Sequence, residues 1–316
     1  MIQISQFKAD KNKSAQSLGK RMWKYRNMYI MLLPALAAMI LFKYVPLYGI
    51  QIAFKKFVSV KGIWGSEWVG LKYFYRMFRE YTFLRVLRNT IWISFLKLFI
   101  SYPFGVIFAL LINEIYHIRF KKIIQTISYL PHFISWVIIA GIMKNLLSLN
   151  GPINLMIENL GGEKIYFLTK SEAFVPIILV SDIWQTMGWS SIIFLAAIAG
   201  ISPELYEVAQ IDGANRIKCM RYITLPSIMP VVTIMFILRI GRILNAGFDQ
   251  IFNLYSPIVY DVADIIDTYV YRVGLVDIDF SYSTAIGLFK NVVGVILMLT
   301  VNALTKKGSD GNRYGI

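Results

Sequence analysis

Six apolar stretches, each long enough to cross a bilayer, constrain this chain of 316 residues more than any other feature. A spanning helix needs about 20 mostly apolar residues, because the hydrocarbon core of a bilayer is about 30 Å thick. The predicted spans cover residues 28–50, 90–112, 123–147, 174–199, 226–244 and 284–304. The sequence therefore predicts an all-α, polytopic protein with about six transmembrane helices, which crosses the cell membrane several times.

Composition excludes several other classes of protein. Hydrophobic residues make up 57% of the chain and charged residues only 16%, against about 25% charged residues in soluble domains. The net charge of +15 could suit nucleic acid, but the basic residues lie between and beside the apolar stretches, as membrane topology requires. We therefore expect no nucleic-acid partner. One cysteine and two histidines in different segments argue against a disulfide framework and against a metal site.

The distribution of Lys and Arg predicts the orientation, because cytoplasmic loops carry the excess of these residues. Basic residues are frequent in 1–27, in the loop between spans two and three, and in 306–316, whereas the loop between spans five and six is rich in aspartate. We expect a cytoplasmic tail at 1–27, a transmembrane domain at 28–305 and a second cytoplasmic tail at 306–316. Both termini are then cytoplasmic.

Residues 53–88 disagree with this pattern, since they hold eight basic residues and yet fall outside the cell. The stretch 70–78 alternates aromatic and basic residues at helical spacing. We interpret it as an amphipathic helix that lies on the outer lipid headgroups.

The loop at 200–226, between spans four and five, has the local pattern of a helix, a turn and a second helix. Ser202 suits an N-cap and Pro203 the first helical position, while Gly213 ends the helix and Pro226 opens the next span. The small residues of this loop allow close approach by a partner. From the residues alone, the loop can also be interpreted as a short interfacial connector.

Three parts of this loop, Glu207-Val-Ala209, Gly213 and Ile223-Thr-Leu-Pro226, resemble the EAA motif of binding-protein-dependent ABC importer permeases. In that family the loop forms a coupling helix that docks on the cytoplasmic ATPase. The sequence departs from the motif at Val208, where a second alanine is usual, and at Met220, where an aromatic residue is common. The resemblance implies that the ATPase-docking residues are Glu204, Glu207, Ala209, Asp212, Gly213 and Ala214.

The resemblance covers most of the chain. Residues 68–74 with Asn89-Thr90 are similar to carbohydrate importer permeases, and residues 248–252, 262–271 and 283–289 resemble the LplB-type and MalF-type sugar permeases. The implied fold is that of a type I ABC importer. The implied function is the translocation path for a sugar or oligosaccharide that an extracellular solute-binding protein delivers. Implied partners are a second homologous permease, two cytoplasmic ATPase subunits that bind ATP and magnesium, and membrane lipid.

No catalytic motif accompanies this pattern. The sequence contains no Gly-x-x-x-x-Gly-Lys-Ser/Thr phosphate loop, no Gly-x-Ser-x-Gly and no His-Glu-x-x-His. We therefore expect a non-catalytic permease subunit with no cofactor of its own, and ATP hydrolysis in a separate polypeptide.

Polar and aromatic residues within the spans are the candidates for a substrate path, because ionisable groups at membrane depth mark pathways by default. Aromatic rings can stack on sugar rings, and two arginines three residues apart on one helix face suit a carboxylate, which suggests an acidic sugar. The candidates are Trp184, Gln185, Trp189, Arg239, Arg242 and Asn245. A structural alternative is that Asp182 pairs with an arginine of another span. His132, directly after Pro131, predicts a kink in span three.

Two alternatives from other classes remain at this point. An ion- or proton-coupled secondary transporter would need titratable groups at the bilayer midplane, for which Asp182 is the one strong candidate, and would carry an inverted repeat. A membrane-embedded enzyme would need a convergent nucleophile, metal or acid–base cluster, and the sequence shows none.

Overall fold

The computed structural model describes residues 23–308, and the side chains as far as residue 303. The long helices are α1 (Arg26–Phe54), α3 (Tyr81–Asn113), α4 (Ile118–Phe133), α5 (Trp136–Leu146), α7 (Ser171–Ala199), α9 (Arg216–Ile240) and α13 (Phe280–Gly308). The shorter helices are α2 (Lys72–Arg79), α6 (Pro152–Asn159), α8 (Pro203–Ile211), α10 (Phe248–Leu254), α11 (Tyr260–Ala263) and α12 (Ile266–Tyr271). A two-stranded antiparallel ribbon joins β1 (Lys55–Lys56) to β2 (Glu67–Trp68). Most of the two predicted tails lies outside these residues.

The predicted spans are present, with one important difference in the third. Five helices are long and apolar enough to cross a membrane, and α4 with α5 makes a sixth span if the bent pair counts as one. The predicted span 123–147 is not straight, because the two helices meet at 103°. Pro131 lies in a tight turn, and Ile134 and Ser135 are extended. The kink predicted beside His132 is thus confirmed as a complete break in the helix.

The fifth predicted span is longer than expected at its start. Pro226 does not open it, as the sequence suggested: α9 begins at Arg216, where the side chain of Asn215 accepts a hydrogen bond from the backbone N–H of Lys218 at 2.9 Å. A wider π turn at Met220–Thr224 directly precedes the Leu225–Ile240 segment. Such a turn lets a helix continue past a proline, which has no N–H to donate.

Three hydrophobic clusters form the core along the length of the bundle. One cluster, around Phe83 and Tyr282, joins α2, α3, α12 and α13 at one end of the molecule. A second, around Phe174 and Ile251, lies where α10 meets α5 and α7. The third, around Phe194, joins α3, α7 and α9 at the opposite end, next to α8. The bundle therefore has an α2 end and an α8 end.

The basic segment that disagreed with the charge pattern packs at the α2 end against the acidic loop between α9 and α13. Residues 70–78 form a helix as predicted, but Met77 is buried in the core rather than facing lipid. Arg76 binds Asp279 at 2.8 Å, and Arg272 binds the fully buried Asp264 at 2.5 Å. Burial lowers the pKa of Arg272, but the hydrogen bond and charge of Asp264 outweigh it and raise the pKa above its usual value. Both cations therefore stay charged, and acidic partners at the same end balance them.

Helix α1 is attached to the rest of the chain mainly through its last third. The 3₁₀ segment Val45–Phe54 packs on α13, and Ala53 is the first buried residue within the described part of the chain. The preceding turns, Arg26–Met39, contain no buried residue.

Candidate functional site

Helix α8 and the turn after it form a short projecting unit at one end of the bundle. Pro203 occupies the first turn, as predicted, and Ser202 is extended, although its side chain makes no capping hydrogen bond. Gly213 has φ +78°, a conformation that favours glycine because it has no Cβ. The backbone N–H of Ala214 donates to the carbonyl of Ala209 at 2.8 Å and closes the turn.

The residues proposed for ATPase docking lie together on this unit. Glu204, Glu207, Asp212 and Gly213 are exposed, whereas Ala209 and Ala214 are half-buried at its base. Three apolar side chains beside them are also open to the surroundings: Leu205, Val208 and Ile211 are 51%, 58% and 85% exposed. A helix this short, with an uncovered apolar stripe and acidic neighbours, has the character of a protein-docking surface.

A tether that the sequence analysis missed connects this unit to the bundle. The hydroxyl groups of Tyr206 on α8 and Thr224 on α9 lie 2.9 Å apart, and Thr224 is buried. Behind α8 lies a cavity of about 1010 Å³, whose wall includes Tyr206, Gln210 and Lys121. Helix α8 is thus joined to α9 by a side-chain hydrogen bond.

Three of the substrate-path candidates lie on α7, but their side chains point to different surroundings. Gln185 is buried, while Trp184 and Trp189 are partly exposed. Trp189 stacks on the ring of His132 at the break between α4 and α5, with ring centroids 4.6 Å apart and planes 5° apart. Phe133 meets the same indole edge-on at 5.4 Å. Three aromatic side chains therefore cluster at the helix break. Of these, the sequence analysis had named only Trp189 as a substrate-path residue.

Arg239 and Arg242 do not share a helix face, contrary to the expectation from their spacing of three residues. The helix ends at Ile240, so Arg242 and Asn245 follow it in an irregular break. Arg239 lies over the ring of Tyr102 on α3, 5.6 Å from its centroid. Arg242 and Asn245 instead line a small cavity against α13. The two arginines therefore have different surroundings, and the paired arrangement on one helix face that suggested an acidic sugar is not formed.

A buried polar network crosses the bundle beside this break. Lys97 of α3 donates to the carbonyl of Ala246 at 2.9 Å and to Gln250 Oε1 at 2.5 Å, and pairs with Asp182 Oδ1 of α7 at 3.1 Å. Gln250 in turn donates to the hydroxyl of Ser181 and to the carbonyl of Ile178. The alternative that Asp182 pairs with an arginine is wrong, since its partner is Lys97. A lysine in the middle of an apolar span was the signal that could have identified this network.

Among the residues that the structure describes, no group of three or more His, Cys, Asp or Glu side chains could hold a metal ion. The functional features are instead a broken span, aromatic side chains beside the break, buried charges that join helices, and a docking helix at one end. These features are those of a polytopic membrane permease.

The comparisons with known proteins identify its family. Residues 101–308 match the model of the binding-protein-dependent transport system inner membrane component, and the chain belongs to this family of ABC importer permeases. It is a multi-pass inner-membrane protein. The resemblance expected from the EAA motif is confirmed, and the secondary-transporter alternative is set aside.

Curated relatives match over nearly the whole chain. The polygalacturonan/rhamnogalacturonan transport system permease YteP of Bacillus subtilis strain 168 is 46% identical over 96% of this chain and 95% of its own. Protein LplB of the same organism is 44% identical over 89% of this chain and 88% of its own.

Two crystal structures of a bacterial alginate ABC transporter contain similar chains. One is bound to a periplasmic protein that carries alginate pentasaccharide; its chain is 39% identical, with a TM-score of 0.84 over 93% of this chain and 99% of its own. The other is described as importing an acidic polysaccharide, and its chain is 40% identical, with a TM-score of 0.85 over 92% and 99%. The type I importer fold is therefore shown for this chain.

Proposed function

We propose that this permease, together with a second homologous permease, forms the path by which an acidic oligosaccharide enters the cell. An extracellular solute-binding protein delivers the sugar, and two cytoplasmic ATPase subunits with bound ATP and magnesium drive the transport. Helix α8 is the contact with one of these ATPases. The observation that carries the mechanism is the exposed apolar stripe of α8 on a base tied to α9 through Tyr206 and Thr224.

The coupling follows from that tether. When the ATPase subunits close around ATP, a rigid-body movement of α8 is passed through the hydroxyl pair to α9, whose far end leads into the break at 241–247. The break, in turn, contacts α3 and α7 through Lys97. ATP binding thereby biases the helix arrangement around the path, and the sugar itself supplies none of this energy.

The charge balance around the path supports an acidic cargo. Within the described residues, Lys97 is paired with Asp182 and Lys290 with Asp267, while neither Arg239 nor Arg242 has a carboxylate within ion-pairing distance. Two guanidinium groups without a carboxylate partner, one half-buried on α9 and one exposed just after it, can attract an anion. The relatives named for alginate and for polygalacturonan, whose sugar units are uronates, agree with this choice of cargo.

Uptake into proteoliposomes tests the proposal. The complete complex, supplied with its binding protein, should accumulate trigalacturonate only when ATP is enclosed, and should accumulate the matching carboxyl-reduced trisaccharide much more slowly. Uptake that follows an ion gradient without ATP would contradict the mechanism. Equal uptake of both sugars with ATP would leave the importer intact and remove the acidic cargo.

A further inference from the structure

Asp182 uses only one of its two carboxylate oxygens. Its side chain is 9% exposed, and Oδ1 pairs with the ammonium group of Lys97 at 3.1 Å. Oδ2 is buried and accepts no hydrogen bond from any residue that the structure describes. A buried polar atom without a partner is rare in folded proteins, because leaving it unpaired costs free energy. Asp182 therefore has an unused acceptor inside the bundle, where α7 meets α3.

Arg239 is an unpaired cation near this acceptor. It is half-buried on α9, and its guanidinium forms no ion pair and no hydrogen bond within the described part of the chain. The group lies over the ring of Tyr102, 5.6 Å from its centroid, close to the limit of about 6 Å for a cation–π interaction. The charge of Arg239 also acts on Lys97. The unpaired guanidinium and the partner of Asp182 thus share one short stretch of α3, residues 97–102.

The distance along α3 between the two groups is short for an arginine side chain. Tyr102 follows Lys97 by five residues, which is about 7 Å along a helix. Helices α3 and α7 run side by side in the same direction, because Lys97 meets Asp182, and a Cβ added to Gly105 would touch Ser190 further along. Asp182 is therefore level with Lys97, about one and a half helical turns from the ring that Arg239 covers.

The position of Arg239 on α9 allows it to move. It is the second-last residue of the helix, and the segment 241–247 that follows is irregular and ends at Gly247 with φ +101°. The opposite end of α9 is joined to α8 through Thr224. A shift or rotation of α9 carries Arg239 with it, and the irregular segment can absorb the change.

We propose that Arg239 alternates between two partners, the ring of Tyr102 and Oδ2 of Asp182. In the conformation described here the helix positions keep the guanidinium on Tyr102. When ATP-driven movement shifts the end of α9, the guanidinium leaves the ring and pairs with Oδ2, while Oδ1 stays with Lys97. This Arg239 exchange replaces a distant cation–π contact by a charge-assisted hydrogen bond, which is the stronger interaction.

The Arg239 exchange therefore favours the ATP-bound conformation, because the new bond exists only there. It rests on the ATP-driven movement of the proposed function and not on the kind of sugar. If the cargo is acidic, one further consequence follows. Arg239 is free to attract the sugar carboxylate in one conformation, and is occupied by Asp182 in the other.

The test uses the complete complex without sugar, so that loss of cargo binding does not contribute. The ratio of complex trapped with ADP and vanadate to untrapped complex measures the ATP-bound conformation. Arg239→Gln should lower this ratio about tenfold, as expected for one hydrogen bond to a charged group, and Arg239→Lys should recover part of it. Without nucleotide both variants should melt like wild type. Arg79→Gln is the control, since Arg79 is an exposed arginine on α2, and it should leave the ratio unchanged.

Cryo-EM of the trapped wild-type complex measures the geometry directly. It should show a guanidinium nitrogen of Arg239 within about 4 Å of Asp182 Oδ2, the usual limit for an ion pair. A guanidinium still over Tyr102 in the trapped complex, or normal trapping of Arg239→Gln, would disprove the Arg239 exchange and leave the importer mechanism intact. A wild-type complex that ATP and vanadate do not trap would disprove the proposed function, and the exchange with it.

Discussion

Lys97 shows what a single charged residue needs in order to remain inside a membrane protein. Its side chain is 11% exposed and that of Asp182 9% exposed, and three acceptors from two separate segments surround the ammonium group. Removing one member of a buried ion pair leaves the other charge without compensation, which costs about 3–5 kcal/mol, whereas removing both is often tolerated. The stability of the bundle therefore depends on the pair rather than on either charge.

Substitution of Lys97 tests this dependence. Lys97→Met should lower the melting temperature of the purified complex markedly, and the double variant Lys97→Met/Asp182→Leu should recover at least half of the loss, because no buried charge remains. Scanning fluorimetry of Lys97→Met, Asp182→Leu and the double variant shows how far the effects of the two single substitutions depart from additivity. Strict additivity of the two single effects would show that the residues act independently.

Gly188 is a second position where one atom decides the packing. A Cβ at this residue would collide with the backbone carbonyl of Ser128, where α7 crosses α4. Gly141 on α5 has nothing within 4 Å of its added Cβ. A Gly→Ala substitution should therefore lower the stability of the protein at position 188 but not at position 141.

We expect Gly188→Ala to push α4 and α7 apart and to lower the melting temperature. Gly141→Ala should leave it unchanged or raise it, since alanine favours a helix over glycine by about 1 kcal/mol. Thermal unfolding of both variants in the same detergent is the measurement. Equal effects of the two substitutions would mean that α4 and α7 are not in close contact at Gly188 in the purified protein.

At the scale of elements, the sequence predicted single helices well and their interruptions less well. Hydropathy located every span, and Gly213 marked the end of α8, because both signals are local. The start of α9 was missed, since the cap at Asn215 and the π turn before Pro226 together override the usual effect of proline. The partners of Lys97 could not be predicted either, because they come from segments 85 and 149 residues away.

The apolar stripe of α8 can be tested by a single substitution. Val208→Asp should reduce co-purification of the ATPase at least tenfold, because a carboxylate would be buried in the interface without a partner. Val60→Asp makes the same change at a residue that is 98% exposed and lies near the α2 end of the bundle. Pull-down from membranes compares the two variants, and both should insert normally. Full ATPase recovery with Val208→Asp would place the contact elsewhere.

At the scale of the whole molecule, the two ends differ in a way that charge alone did not predict. The basic residues of 53–88 contradict the positive-inside pattern, but the structure brings Arg76 to Asp279, and Lys290 lies beside Asp267. The sequence held both sets of charges without showing that they meet. The α8 end and the α2 end can therefore lie on opposite sides of the membrane despite their similar basic content.

The sidedness can be measured directly, because Cys219 is the one cysteine of the chain. In a Cys219→Ser background, Ile211→Cys should react with a membrane-impermeant maleimide only after the cells are permeabilised, and Val60→Cys should react in intact cells. Both positions are exposed, so the difference reports location. The reverse pattern would refute cytoplasmic termini and, with them, docking of an intracellular ATPase on α8.

The loose attachment of α1 affects which substitutions its first turns can tolerate. Since the chain buries no described side chain before Ala53, substitutions in the first turns of this helix leave the interior of its own subunit untouched. Whatever restrains those positions during evolution must come from neighbours in the bilayer, so a survey of tolerated changes along α1 would map its surroundings rather than its fold.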